Sequence, residues 1–140
     1  MDREVVAEKL ESLRRCLQRV SEKCPPDVET LLRDFDLQDI LALNLSRAVQ
    51  LCVDIAAHLV ADLAVPPPDT MGQTFDTLSD AGVIDKVLAN RLKKAVGFRN
   101  IAVHNYEAID WTIVHAIARN HLHDFFDFAG TIGATLDKPN

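Results

Sequence analysis

Between Arg99 and Tyr106 the chain reads Arg99-Asn100-Ile101-Ala102-Val103-His104-Asn105-Tyr106, which sets a permanent cation, a titratable imidazole and a phenol within about two helical turns. A guanidinium is planar, always charged and shaped to grip a phosphate in two places. An imidazole, with an ordinary pKa near ~6.5, can take or return a proton at neutral pH. Together they can break a phosphodiester bond whose nucleophile is already part of the substrate, as the 2′-OH of RNA is. No carboxylate pair of the kind that holds catalytic metals accompanies them in the sequence. For an arbitrary protein, an Arg and a His on a polar helix face are more often solvated or structural than catalytic, so the surroundings must decide.

The elements that position this stretch read as helices. Val5, Val6, Leu10, Leu13, Leu17 and Val20 recur at helical spacing from about Asp2 to Cys24, and Pro25-Pro26 ends the run. Asp27 is suited to cap a short helix through Arg33, and Asp36 or Leu37 to open a long one to about Leu63, stopped by Pro66-Pro67-Pro68. Met71 to Leu78 and Ile84 to Val96 are two further apolar-periodic runs, separated by Ser79-Asp80-Ala81-Gly82, where glycine fits a helix C-terminal turn. A last helix is expected from Asp110, through Ile113, Val114, Ile117 and Leu122 to Phe128, weakening near Gly130 and Gly133. Strand-like alternation, internal repeats and a glycine-rich phosphate loop are all missing. The expected fold class is all-α, an up-and-down antiparallel helical bundle of four main helices plus one or two short ones, with residues 1–140 forming a single domain.

Bulk numbers agree with a folded domain: 140 residues, 48% hydrophobic and 26% charged. Three cysteines, at 16, 24 and 52, form no Cys-x-x-Cys pair and follow no secretory signal, which argues for a cytoplasmic chain without a disulfide framework. Residues 40 to 65 are apolar enough to suggest a membrane span, but Arg47, Gln50, Asp54, His58 and Asp62 recur at steps of three or four. They form one stripe of an amphipathic helix, so no membrane partner is expected. The net charge is −6, yet it is unevenly spread. Residues 37 to 85 carry Asp39, Asp54, Asp62, Asp69, Asp76, Asp80 and Asp85 against Arg47 alone, whereas Lys86, Arg91, Lys93, Lys94 and Arg99 then follow without an acid before Glu107. Such a basic stretch leading into the Arg/His segment is what local attraction of phosphate requires.

The spacing Arg-x4-His-x-Tyr in a helical chain resembles the HepT branch of the HEPN superfamily. The likeness extends to Leu43–His58, Thr74–Leu78, Ala81–Ile84 and Gly97–Asn100, in the order that family shows, and covers roughly residues 38 to 125. The resemblance implies a metal-independent endoribonuclease toxin of a type VII-like toxin–antitoxin system, needing no cofactor and acting on RNA. Its partner would be a cognate minimal nucleotidyltransferase (MntA-like) antitoxin that transfers AMP to Tyr106. Arg99 and His104 would be catalytic, His104 moving the proton and Arg99 stabilising charge on the phosphoryl oxygens. Cleavage would leave a 2′,3′-cyclic phosphate and a 5′-hydroxyl. Two departures from the pattern are Asn105, where an acid is frequent, and Gln50, where the long helix often has Glu; both bear on how neighbouring acids would hold Arg99.

On an ideal helix Arg99 and His104 lie about 140° apart around the axis, so they do not share a face automatically. Arg99 and Tyr106 nearly do, at about 20°, and Asn100 lies one turn beneath His104. The reach of the Arg side chain, a helix end inside the motif, or pairing across a dimer could close the gap, and HEPN toxins resemble the last case. A homodimer is expected, with Asn100 as a polar support that orients His104 or holds phosphate. Asp54 is a further candidate, as a carboxylate that the long helix could bring to Arg99 or His104; a solvent-facing Asp is the plainer alternative. His115, His121 and His123 with Asp124 match no zinc spacing, and Trp111, Phe125, Phe126 and Phe128 read as core or dimer contacts. The rival function is a non-catalytic HEPN module that docks a nucleotidyltransferase with the same helices. Growth arrest abolished by His104→Ala separates the two.

Overall fold

The computed structural model describes residues 1–138. Seven α-helices occur among them: α1 (Arg3–Lys23), α2 (Val28–Arg33), α3 (Phe35–Val60), α4 (Met71–Asp80), α5 (Lys86–His104), α6 (Trp111–Asn120) and α7 (Leu122–Leu136), with one 3-10 turn at Tyr106–Ala108. The long helices α1, α3, α5 and α7 form the up-and-down antiparallel bundle, and the short ones number three rather than one or two. Their directions follow from their contacts. The N-terminal amine of Met1 pairs with Asp62 and Lys9 with Asp54, so the start of α1 meets the end of α3. Arg3 reaches the Leu136 carbonyl at the far end of α7, and Arg91 of α5 pairs with Asp124 of α7, the two helices sharing a shallow cleft lined by Val87, Leu88, Thr131 and Ala134.

Helix starts follow from one chemical device. Asp2, Asp27, Asp34, Asp85 and Asp110, and Thr70, each sit in extended backbone and accept a hydrogen bond from an N–H of the first turn, satisfying donors that the helix itself cannot. The long helix opens at Phe35 under the Asp34 cap, slightly earlier than Asp36 or Leu37 suggested, because Asp34 also closes α2. Buried Gln38 secures that junction by donating to the Leu31 carbonyl at 3.0 Å, which also accepts the Asp34 N–H. Gly82 ends α4 at φ +80, with Val83 N–H to Leu78 and Gly82 N–H to Ser79, the paired bonds of a glycine-terminated helix.

Two cores divide the interior. The larger joins α1, α3, α4, α5 and α7 through Val6, Leu10, Leu13, Leu17, Ile55, Phe75, Leu92 and Phe128, with Phe75 and Phe128 packed edge to face at 6.0 Å. The smaller sits at the opposite end, built from Val20, Leu31, Leu41, Ala42, Leu45, Ile109, Val114 and Ala118, and Phe98, Ala102 and Trp111 pack against it. It forms the floor beneath the Arg99–Tyr106 segment. Helix α3, long and apolar enough by composition to cross a bilayer, buries Leu41, Leu45, Val49, Cys52, Ile55, Ala56 and Leu59 in these cores.

The single last helix expected from Asp110 is two. The chain breaks at His121 (φ −126, ψ 10), between Asn120 and Leu122. The break transfers the chain between cores: Val114 and Ala118 of α6 belong to the smaller, and Phe125, Phe128, Ala129 and Ile132 of α7 to the larger. A straight helix could not present both sets to their partners. Nor does α7 weaken at its glycines: it runs through Gly130 and Gly133 to Leu136, because buried Ala129 and Ile132 hold it down.

Candidate active site

Helix α5 continues unbroken past Val96 and Gly97 to His104, so Arg99, Asn100 and His104 all stand on its last turns. Burial of Ala89, Leu92 and Val96 anchors its first half, while Phe98 and Ala102 rest on the smaller core. Arg99 and Asn100 are half-buried and His104 is exposed. Arg99 Nη1 donates to Asn100 Oδ1 at 3.1 Å. Within the chain Asn100 accepts from the guanidinium and makes no hydrogen bond to His104 among the described residues. Among the described residues Arg99 has no carboxylate partner, and His104 makes neither an ion pair nor a side-chain hydrogen bond. A cation and an imidazole therefore stand on the last turns of one helix with no acid among the described residues to neutralise either.

The helix ends at the His104–Asn105 step. Asn105 adopts φ −150, ψ 63, closing α5 with its N–H on the Ile101 carbonyl, and Tyr106 opens a 3-10 turn that leads to buried Ile109. Tyr106 is thus not on the helix of Arg99, and the 20° rotation expected between them does not apply. Instead the phenol is placed by the tertiary fold. Its hydroxyl donates to Asp39 Oδ1 on α3, and its ring meets Trp111 edge-on at 5.8 Å. Trp111 is fixed in turn by the Asp110 cap of α6. Partial burial of the phenol, then its hydrogen bond to Asp39 and the charge of that carboxylate, push its pKa well above the ordinary value of 10.0. It stays protonated at neutral pH, a donor held against an acceptor.

The helix end inside the motif thus frees Tyr106 but does not close the gap between Arg99 and His104. Both remain on α5, about 7.5 Å apart along its axis and on different faces. Side-chain reach or a second copy must bring them together. Around them the surface is apolar: Ile101, Val103 and Ile113 are exposed, and Ile101 and Ile113 line a groove of about 740 Å³ with Phe98 and Ile117.

The remaining candidates are elsewhere. Asp54 accepts from Gln50 Nε2 at 2.9 Å and faces Lys9 of α1 at 3.7 Å, so within the chain its carboxylate serves the α1–α3 face and not Arg99 or His104. His115 bonds the Pro25 carbonyl at 2.8 Å, and His123 lies beside Asp124 at 3.3 Å; among the described residues no group of three or more His, Cys, Asp and Glu converges as metal ligands would. Phe125 and Phe128 are core, Trp111 is half-buried and Phe126 is exposed. The basic stretch is partly spent on packing: Arg91 pairs with Asp124 at 3.1 Å and Lys93 with Asp76 at 2.8 Å. The residue that sequence reasoning missed is Asp39. Its signal was present, because stepping the polar stripe of α3 back from Arg47 by four and four again passes Leu43 and reaches Asp39.

Residues 8–132 match the family model described as ribonuclease HepT-like. The chain is 34% identical to the mRNA nuclease HepT of Shewanella oneidensis over 131 residues, covering 94% of this chain and 98% of that protein. Among solved structures it is similar to the tri-AMPylated HEPN toxin of Shewanella oneidensis in complex with an MNT antitoxin, with a TM-score of 0.86, 34% identity and coverage of 96% and 98%. It is also similar to a toxin–antitoxin structure with AMP-PNP, with a TM-score of 0.87, 34% identity and coverage of 94% and 98%. A helical bundle that presents Arg-x4-His-x-Tyr at the end of one helix, matched over nearly its whole length, belongs to the HepT-like ribonuclease family of HEPN toxins.

Proposed function

We propose that this chain is the toxin of a toxin–antitoxin pair, a cytoplasmic, metal-independent endoribonuclease with Arg99 and His104 as its catalytic residues. The observation that carries this reading is a half-buried guanidinium and an exposed imidazole on the last turns of one helix, neither paired with an acid among the described residues, in a chain of this family. The 2′-oxygen of one nucleotide attacks the adjacent phosphorus, the bond to the 5′-oxygen breaks, and a 2′,3′-cyclic phosphate remains. His104 takes the 2′-OH proton or delivers one to the departing 5′-oxygen. Arg99, steadied by Asn100, holds the phosphoryl oxygens as their charge grows. The nucleophile is the RNA's own hydroxyl and the counter-charge is the guanidinium, so the chemistry does not call for a metal.

The separation of Arg99 and His104 on α5 supports a homodimer in which two motifs share one cleft. The exposed Ile101, Val103 and Ile113 beside the motif are the apolar surface such a dimer would cover. The partner would be a cognate minimal nucleotidyltransferase, and Tyr106 the residue it modifies with AMP. The phenolic oxygen would attack the α-phosphorus of ATP, pyrophosphate would leave, and the phenolic proton would pass toward Asp39, which already accepts it in a hydrogen bond. Each AMP unit adds negative charge and bulk beside the motif, where substrate phosphate would sit. Expression of the chain alone should arrest growth and yield cellular RNA ending in cyclic phosphate, with both effects lost in His104→Ala. Arrest that persists in His104→Ala without new RNA ends would instead favour a docking module.

A further inference from the structure

Helices α1 and α3 frame an open groove of about 790 Å³. Its walls carry Arg15 and Arg19 from α1 and Arg47 from α3, and none of the three makes an ion pair with a described residue. This is unusual in a chain of net charge −6, where acids are plentiful. Arg15 and Arg19 are four residues apart on one face of α1, about 6 Å along its axis. Cys16 lines the groove too; burial raises the pKa of its thiol, and the charges of Arg47 and Arg15, one from each wall, partly offset that rise. The acid among the lining residues, Asp54, is already held by Gln50 and Lys9.

The groove reaches Leu43, one helical turn from Asp39, which holds Tyr106. On α3, Asp39, Leu43 and Arg47 follow at steps of four and so share one face. Asp39 holds the Tyr106 hydroxyl, and Leu43, 51% exposed, stands between it and Arg47 as an apolar ledge. Since α1 runs antiparallel to α3, Arg19 lies nearer the Tyr106 end and Arg15 further along. We infer that this groove is a second anion-binding surface that carries the phosphate backbone of single-stranded RNA away from the cleavage site, with Arg19, Arg15 and Arg47 contacting successive phosphates. Leu43 offers a base an apolar surface without reading its identity. An acidic face of a protein partner would fit the charges, but a stripe leading from Tyr106 fits a strand that must first pass the cleavage site. The inference rests on the ribonuclease reading, and its test separates the two.

The test uses the full chain in a His104→Ala background, so that RNA is bound without being cut, and a fluorescein-labelled single-stranded oligoribonucleotide as probe. Arg15→Ala/Arg19→Ala/Arg47→Ala should weaken binding at low salt by about tenfold or more and flatten the dependence of log K on log salt by about 2, at roughly 0.7 per lost phosphate contact. A charge-matched variant outside the groove, Arg14→Ala/Lys23→Ala/Arg33→Ala, should leave the salt slope unchanged, and circular dichroism should show both variants folded. Should the triple variant fold poorly, the single Arg47→Ala should still flatten the slope by about 0.7. Affinity and slope equal to the parent would overturn the groove while leaving the ribonuclease reading intact. Loss of nucleotidyltransferase capture with RNA binding unaltered would overturn it in favour of a protein-docking surface. A parent that binds no RNA would overturn the ribonuclease reading and the groove with it.

Discussion

The two halves of α5 use the same kinds of residue to different ends. In the first half two of the four cations are matched, Arg91 by Asp124 and Lys93 by Asp76, while Ala89, Leu92 and Val96 fill the larger core. In the second half Arg99 has an amide for a partner and His104 has no side-chain partner among the described residues, and apolar Ile101 and Val103 are exposed. Charge matching at the surface contributes little stability, about 0–1 kcal/mol for an exposed pair, but it removes a cation from the field that an approaching anion meets. The lesson is that a basic stretch in the sequence is not yet a binding surface. The cations that count are those the fold leaves without an acid.

This contrast can be broken in order of size. Leu92→Ala, in the packed half, should cost about 2–5 kcal/mol of stability in denaturant unfolding, because the cavity it leaves is closed in by the larger core. Arg99→Ala or His104→Ala should do the reverse, lowering RNA cleavage by about 100- to 10,000-fold with the unfolding midpoint nearly unchanged. Arg99→Lys should fail comparably, since an ammonium cannot make the two-point phosphate contact. Mixing the inactive Arg99→Ala and His104→Ala chains should restore part of the activity if the cleft is shared. A fully active monomer in light scattering would remove the dimer from the account.

Tyr106 gives a spectroscopic measure of the same end of α5. It is the one tyrosine in the chain, so the phenolate absorbance reports it alone. Its midpoint should lie above the ordinary 10.0, and Asp39→Asn should bring it part of the way down, leaving the share due to burial. The folded chain holds this proton more tightly than the unfolded chain. The associated stability is therefore complete below pH ~10 and lost as pH rises through the folded value. A midpoint unmoved by Asp39→Asn would show that the Asp39 contact contributes nothing to the phenol's environment. The smallest effect belongs to Lys93→Ala, which should cost no more than about 1 kcal/mol and leave cleavage little changed, its partner Asp76 being equally exposed.

Much of this was legible in the sequence, and what was not has physical causes. Helix starts could be read where an aspartate precedes an apolar-periodic run, as at Asp27 and Asp110, because capping is local. The break at His121 could not, since no proline or glycine marks it; it arises because α6 and α7 serve different cores. The motif gave Arg99, His104 and Tyr106, but its helical geometry failed beyond His104, where Asn105 turns the chain out of α5. Asp39 lies 67 residues from Tyr106, and only packing of α3 against the end of α5 unites them. Asp54 looked available on the polar stripe because its partner Lys9 belongs to a helix whose position the stripe does not reveal.

The central claim is that Arg99 and His104 cleave RNA without a metal, and purified protein tests it most directly. Single-stranded RNA should be cut in excess EDTA, leaving 2′,3′-cyclic phosphate and 5′-hydroxyl ends, by the parent chain but by neither Arg99→Ala nor His104→Ala. Cleavage that stops with the chelator and returns with added Mg²⁺ or Mn²⁺, or that survives in His104→Ala, would contradict it.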